Sequence, residues 1–500
     1  MMREIVKAKH VLLEFNGRDV LNISELSVAE NERIGLIGAN GSGKTSLLRI
    51  LSGDLETATC KVVRYGNVLF VPQVSVEDSH HMVPTDYMAS VWGVKNCELI
   101  HASGGEAARL RISRAFSEQA TAVFLDEPTA HLDESGKELL IKSIHSFDGA
   151  VVLVSHDREF LDRTVSKIWE LKNGSLREFS GNYSAYQRQI EEARKAQGLA
   201  YQKYADEKRR LAEAAATVRK KADNLYHKKK GRPAKDADQF GGRLSGQKSI
   251  GSKEKSAYKA AGSIERRLAG LEEVERPERL PIVRFRQPEY LVVNNPYPIV
   301  AENITVSFGA NTLLDNVTFR VARGAKVALT GENGVGKTTL FRMIAAHDPQ
   351  IAIAQKCVIG SYEQRHEKSS STETMLSFLM RDALCKQHEM ISMLAQLGFC
   401  AADIRKELRH LSEGELNKVM LLSLLTGCYN VLLLDEPTAF LDIFSVEALE
   451  RMIRDYRGTV IFITHDKTFI RNCSDCVLTI RNRGIDQTSI RGFEDSNSDC

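Results

Sequence analysis

Gly38-Ala39-Asn40-Gly41-Ser42-Gly43-Lys44-Thr45 has the pattern G-x-x-x-x-G-K-[ST]. It returns as Gly331-Glu332-Asn333-Gly334-Val335-Gly336-Lys337-Thr338. A loop of this pattern wraps nucleotide phosphates with backbone N–H groups, its glycines letting the chain curl without Cβ clashes. The motifs downstream of each copy decide the fold. Ser103-Gly104-Gly105-Glu106 is matched by Ser412-Glu413-Gly414-Glu415, and LDEPTA recurs at Leu125 and Leu434. His156-Asp157 is matched by His465-Asp466. Ser103 to Asp126 is 23 positions, as is Ser412 to Asp435; Glu127 to His156 is 29, as is Glu436 to His465. Four ordered motifs repeated at constant spacing mean a duplicated nucleotide-binding module.

The residue types assign the roles. Lys44 and Lys337 suit contact with the β- and γ-phosphates of ATP, and Thr45 and Thr338 offer hydroxyls to Mg²⁺. Gly38, Asn40, Gly41, Gly43 and Ser46, with Gly331, Asn333, Gly334, Gly336 and Thr339, complete two cradles at helix N-termini. Asp126 and Asp435 close apolar runs (Ala122 to Leu125, Leu432 to Leu434) that read as buried parallel strands of an α/β fold. From a strand end beside the loop, each aspartate can hold Mg²⁺ through water. Glu127 and Glu436 come next and are placed to position or activate the attacking water.

A chain of 500 residues suggests about three domains. Its opening residues carry no signal-peptide hydrophobic region. The most apolar stretch, Val419 to Leu434, includes Cys428, Tyr429 and Asn430 and is too short to span a bilayer; it reads as a buried helix running into a buried strand. A self-contained exporter is thereby excluded, and a cytoplasmic protein without a membrane partner is expected. The nine cysteines read as free thiols, and Cys473-Ser474-Asp475-Cys476 lacks the second ligand pair of a zinc site.

The net charge of +3 is unevenly spread. Arg188 to Arg279 holds 24 basic and 14 acidic residues, and Arg219 to Lys259 alone holds 13 and 4. Ile190, Ala193, Ala200, Tyr204, Leu211, Ala215, Val218, Ala222 and Leu225 recur at helical steps. Tyr258, Ala261, Ile264, Leu268, Leu271 and Val274 repeat the habit, predicting two helices zipped along a narrow apolar seam. Gly231, Pro233, Gly241, Gly242, Gly246 and Gly251 place the turn between them. A basic tip on a hairpin suits an anionic partner, RNA in preference to DNA, through counterion release. Tyr226, His227, Phe240 and Leu244 either stack on bases there or pack the turn on itself.

The Ser-Gly-Gly-Glu and LDEPT blocks, with Val154 to Asp162 (VSHDREFLD), resemble the ATP-binding cassette (ABC) ATPases. Two cassettes without a membrane domain, joined by about ninety helical residues entered through Gly181-Asn182-Tyr183-Ser184, resemble the ABC-F class of ribosome-binding translation proteins. The resemblance implies an ABC ATPase domain over 1–186, a linker over 187–281 with its tip at about 226–251, and a second ABC domain over 282–500. It assigns Gln73 and Gln364 to Mg²⁺ and the water, and His156 and His465 to the γ-phosphate. Asp133 and Asp442 fall in the D-loops. Phe15 and Phe308 take the position that faces adenine, core packing being the other reading of each. Each nucleotide would lie between one P-loop and the other cassette's signature: Lys44 with Ser412 and Gly414, Lys337 with Ser103 and Gly105. The chain would thus close on itself as a monomer.

There are departures from the family pattern. Ala102 replaces a leucine, Glu413 the first signature glycine, Ala130 and Ala439 asparagines, and Phe440 a histidine, which bears on whether the two sites turn over equally. Lys44 to Ser103 spans 59 residues against 75 for Lys337 to Ser412, leaving little room for a helical arm in the first cassette. A missing arm with a long linker resembles the antibiotic-resistance branch (Vga/Lsa/Vml-type). That likeness implies binding to the 70S ribosome near the exit-tRNA site, with contacts to 23S rRNA and P-site tRNA. The linker would shield the peptidyl-transferase centre from lincosamides, pleuromutilins and streptogramin A, with hydrolysis driving release. The alternatives are a housekeeping factor for stalled ribosomes, a DNA-processing ATPase, or a transporter's fused ATPase.

Overall fold

A computed structural model describes residues 3–15, 17–57, 60–72, 90–92, 104–117, 120–130, 132–230, 244–276, 285, 288–308, 311–332, 334–363 and 371–490. The chain segregates into two units: Met1–Tyr186 together with Pro281–Cys500, and Gln187–Leu280.

The first unit holds two modules of one topology. Module one runs β1 (Glu4–Phe15), β2 (Arg18–Ala29), β3 (Arg33–Gly38), α1 (Lys44–Ser52), β4 (Lys61–Arg64), β5 (Val68–Val71), α2 (Gly104–Ser117), β6 (Ala122–Asp126), α3 (Glu134–Ser146), β7 (Ala150–Val154), α4 (Arg158–Thr164), β8 (Lys167–Lys172) and β9 (Ser175–Ser180). Its main sheet has the order β5-β6-β7-β3-β8-β9, parallel except for β9, and β2-β1-β4 form a small antiparallel sheet. Every residue of β6 and β7 is buried, as expected for central parallel strands covered on both faces. Phe124 and Trp169 fill the space between sheet and helices with their side chains out of solvent. Cutting Phe124 to alanine would cost about 3–5 kcal/mol.

The second unit is built on α5 (Tyr183–Lys230), whose first turn belongs to the first unit, and α6 (Leu244–Ala269). At about 1.5 Å per residue α5 is about 70 Å long. Leu211, Ala215, Ala222 and Ala261 are buried along the expected seam. Arg219 reaches Glu265 at 3.4 Å, Arg267 reaches Glu207 at 3.3 Å, and the Tyr258 hydroxyl donates to Asp223 at 2.6 Å, so the helices run antiparallel. Three expectations change: Leu271 and Val274, expected on the second seam helix, lie past its end at Ala269. Ala193 and Ala200 are exposed, since α6 ends at Ala269, just past the Arg267–Glu207 pairing, and among the described residues no second helix runs on beside them. Gly246 and Gly251 lie inside α6 and not in a turn. Residues 231–243, with Phe240, lie outside the described residues.

Module two repeats the first with β10 (Ile299–Phe308), β11 (Asn311–Val321), β12 (Lys326–Gly331), α7 (Lys337–Ala345), β13 (Ile351–Ile353) and β14 (Ile359–Tyr362). Between β14 and the next shared helix stand α8 (Met375–Met380) and α9 (Gln387–Gln396); the equivalent stretch of module one lies mostly outside the described residues. Module two then continues with α10 (Glu413–Thr426), β15 (Val431–Asp435), α11 (Ile443–Asp455), β16 (Thr459–Ile463), α12 (Lys467–Cys473), β17 (Cys476–Arg481) and β18 (Gly484–Ser489). The sheet order, β14-β15-β16-β12-β17-β18, is that of module one. The stretch from Val419 to Leu434 is indeed a helix leading into a buried strand. Among the described residues no helix is long and apolar enough to cross a membrane.

Candidate functional site

The parallel register sets three loops side by side. Leu36 of β3 and Asp126 of β6 both pair with Val154 of β7, so the loop after Gly38, the Asp126-Glu127 pair and the Ser155-His156 turn leave the same sheet edge. In the first loop Gly41 and Gly43 have φ of 76° and 99°. A Cβ on Gly43 would sit 2.8 Å from Val20 Cγ1, whereas nothing lies within 4 Å of one on Gly41. Lys44, the first residue of α1 and buried, folds back to donate to Gly38 O at 2.9 Å and Ala39 O at 3.0 Å, with Ser46 two residues on in the same helix. The second loop copies this: Gly334 and Gly336 have φ of 81° and 106°, and Lys337 donates to Gly331 O and Glu332 O, both at 2.8 Å, with Thr339 on α7. Two positive-φ glycines that open backbone N–H groups around a buried ammonium fit a polyphosphate.

Thr45 Oγ1 donates to Asp126 Oδ2 at 2.6 Å, and Thr338 Oγ1 to Asp435 Oδ2 at 3.0 Å. Hard oxygen donors from one hydroxyl and one carboxylate suit Mg²⁺, which takes its remaining ligands from phosphates and water. Burial raises the pKa of both aspartates against the pull of the threonine and lysine beside each.

Glu127 and Glu436 share an uncommon backbone, with φ of 48° and 50°. Each N–H donates to the carbonyl of the strand beside it, Val154 O at 3.0 Å and Ile463 O at 2.9 Å. Burial pushes Glu127 up to about 8, opposed by Lys44 and reinforced by Asp126. Burial and Asp435 push Glu436 up to about 7 against Lys337. His156 Nε2 lies 3.2 Å from Glu127 Oε1, and His465 Nε2 lies 3.5 Å from Glu436 Oε1. Burial and Lys44 hold His156 down to about 3; burial and Lys337 lower His465. Each pair is therefore a neutral imidazole beside a carboxyl of near-neutral basicity, not an ion pair. Such a carboxyl is suited to take a proton from water at physiological pH.

The two modules meet over the first loop. Asn40 Nδ2 donates to Phe440 O at 3.0 Å, and its N–H approaches Asp442 Oδ2 at 3.5 Å. A Cβ on Gly414 would lie 3.0 Å from Phe440 O and 3.6 Å from Asn40 Nδ2, so signature, D-loop and opposite P-loop converge. Asp442 N-caps α11 through Ser445 N at 3.0 Å and pairs at 2.8 Å with buried Lys418, which also donates to Leu397 O at 2.9 Å. Ser412 caps α10 in a reciprocal box with Glu415. The corresponding Asp133 of module one is exposed and bonded to Arg109. His465 is also more open than His156, with 57% against 27% of its side chain exposed.

Gln73, Ser103, Asn333 and Gln364 lie outside the described residues; Gly105 is in the first turn of α2. Phe15 ends β1 with 69% exposure, which is inconsistent with core packing; Phe308 ends β10. Lys418 and Arg109 escaped the sequence reading. Their signal was present, since each stands six positions after its signature serine, at equivalent points of the repeat.

A family model described as "ABC transporter" matches residues 21–85 and 314–439. The chain is 34% identical to the erythromycin resistance ATP-binding protein MsrA of Staphylococcus epidermidis, covering 91% of this chain and 93% of that one. It is 31% identical to the ribosome protection protein VmlR of Bacillus subtilis, covering 97% and 88%. Identity to the energy-dependent translational throttle protein EttA of Haemophilus influenzae is 26%, covering 93% and 90%. Among solved structures, an RNase-L inhibitor shares the fold with a TM-score of 0.64 at 17% identity, over 98% of this chain and 92% of that one.

Proposed function

From the premise that the chain belongs to the ABC-F class of ATP-binding cassette ATPases, we propose that it acts on the ribosome and protects the peptidyl-transferase centre from large-subunit antibiotics. The observation that carries this reading is the basic helical hairpin inserted between two complete cassettes, an arrangement that ATP hydrolysis alone does not require. Names of the relatives support it: one is an erythromycin resistance protein and another a ribosome protection protein. In this reading 1–186 and 282–500 are the ATPase domains and 187–281 is the linker that reaches 23S rRNA and P-site tRNA in the cytoplasm.

In the same reading Lys44 and Lys337 hold the phosphates of ATP against the glycine cradles. Thr45, Asp126 and Gln73, with Thr338, Asp435 and Gln364, are the Mg²⁺ set; the ion, when bound, supplies charge neutralisation on the β- and γ-phosphates. Glu127 and Glu436 accept the proton of the attacking water, and His156 and His465 sense the γ-phosphate. Ser412 and Gly414 complete the first site, Ser103 and Gly105 the second. Closure favours the ribosome-bound form, and loss of the γ-phosphate shifts the population towards release.

The experiment is a drug-susceptibility panel on cells with and without the protein, together with sedimentation of the Glu127→Gln/Glu436→Gln form with ribosomes and ATP. Lowered susceptibility confined to lincosamides, pleuromutilins and streptogramin A, with co-sedimentation, is expected. Co-sedimentation without any change in susceptibility would favour the second reading, a housekeeping translation factor, which the likeness to the translational throttle protein supports.

A further inference from the structure

Two residues beyond His156, Arg158 crosses from one cassette into the other. Its guanidinium donates to Glu450 of α11 and, at 3.2 Å, to Asp466 Oδ2. Arg158 and Glu450 are 4% and 5% exposed, and Asn472 Nδ2 holds the far oxygen of Glu450 at 3.0 Å. Asp466 directly follows His465 and caps α12 through Phe469 N at 2.8 Å. A continuous path thus runs from His156 through Asp157 and Arg158 to Asp466 and His465.

The repeat makes a comparison possible inside one molecule. Lys467 stands where Arg158 stands in module one, and Ile141 where Glu450 stands in module two. Lys467 reaches Glu134 at 3.5 Å and Glu159 at 3.9 Å, all three side chains exposed, a contact that water and salt largely screen. Only one of the two crossings is a buried ion cluster. Burying ions is a poor way to gain stability, since well-packed apolar residues do as well or better. The buried cluster does fix geometry. A cleft of about 190 Å³ between the cassettes is lined by His156, Asp157, Glu436, His465, Asp466 and Lys467, so both histidine turns face one space.

We propose that Arg158 is a positioning residue that couples the two ATP sites, making the histidine turn of the Lys44 site and that of the Lys337 site move together through its bonds to Glu450 and Asp466. The coupling is carried by the α4–α11–α12 contact, whose arrangement both sites bias. The coupling is mutual, but it runs through one crossing, because the Lys467 contacts are exposed and screened. This inference rests on the assignment of His156 and His465 to the ATP sites.

The test measures ATP turnover at the Lys337 site in the full chain with the other site either loaded and inactive (Glu127→Gln) or unable to bind (Lys44→Met). Their ratio is the coupling, expected to be at least about fivefold. The same pair is then made with Arg158→Met/Glu450→Leu, which removes the buried ion pair and leaves only half-buried Asp466, still capping α12, without its arginine. There the ratio should fall below about twofold, whereas Lys467→Met should leave it as it was. Arg158→Lys, which keeps the charge, should restore part of it. A ratio that survives without Arg158, or a ratio near one in the native chain, overturns the proposal. If Glu127→Gln with Glu436→Gln leaves turnover intact, the site assignment itself is wrong and the proposal falls with it.

Discussion

Replacing Lys418 by methionine keeps the length of the side chain and removes only its charge. That ammonium lies 2.8 Å from Asp442 Oδ2 and 2.9 Å from Leu397 O, with both partners of the ion pair almost fully buried. Besides the long approach of the Asn40 N–H at 3.5 Å, Asp442 would keep two close donors, the Ser445 N–H at 3.0 Å and the Ser445 hydroxyl at 2.9 Å. Stranding one partner of a buried pair costs about 3–5 kcal/mol, and two surviving donors place Lys418→Met near about 3. Arg109→Met is the built-in control: Asp133 is 60% exposed, water replaces the lost partner, and the cost is at most about 1 kcal/mol. Burial works to raise the pKa of Asp442, but Lys418 and Ser445 prevail and hold it below the ordinary carboxylate value. In the native chain its stabilisation is therefore present above the unfolded pKa and is lost as pH falls through the folded one. Without Lys418, burial raises the carboxyl, so the variant's deficit should shrink on going from about pH 7 to about pH 5. Amide hydrogen exchange in the first turn of α11 reads this directly, about a hundredfold faster at neutral pH. Equal effects of Lys418→Met and Arg109→Met, or a deficit that does not change with pH, would refute the reasoning.

Glu127→Gln with Glu436→Gln should retain ATP binding and lose at least about a hundredfold in phosphate release. Of the single changes Glu127→Gln should be the milder, because Glu413 sets a carboxylate in the signature that serves the Lys44 site; equal losses in the two singles would count against that asymmetry. Gly43→Ala should abolish nucleotide binding at the Lys44 site, since its Cβ meets Val20 Cγ1 at 2.8 Å, while Gly41→Ala carries only the backbone cost of about 1–2 kcal/mol. Fluorescent-nucleotide titration separates the two. Gly414→Ala presses on Phe440 O, which as backbone cannot rotate away, and should weaken the Lys44 site alone. Phe440→Gly should raise thermal stability by about 1 kcal/mol, the ring being exposed and φ being +62°.

The placement of the glycine loops, the strand-end acids and the histidines beside them is legible in the sequence because the motifs admit few residue types, and the repeat supplies two readings of each. The seam of the linker is only partly legible. Periodicity finds Leu211, Ala215 and Ala222, but it also marks Ala193 and Ala200, since it carries no information on where the partner helix stops. Gly246 and Gly251 read as turn residues because propensity weighs each glycine alone, whereas helix α6 carries both. The meeting of the first loop with the opposite signature follows from the family resemblance, but the contacts between cassettes away from it are not legible. Arg158 and Glu450 stand 292 positions apart and neither belongs to a motif that implies the other. The left-handed backbone of Glu127 and Glu436 is hidden too, since it comes from the sharp turn between strand end and loop, not from the residue type.

Asn40 and Phe440 touch across 400 positions of a single chain. A site assembled from such distant parts of one polypeptide closes by a first-order step. The covalent connection replaces a collision between subunits with a fixed effective concentration. Nucleotide response should therefore be independent of protein concentration. A single proteolytic cut between Gln187 and Leu280 should make it concentration-dependent without altering one residue of either ATP site.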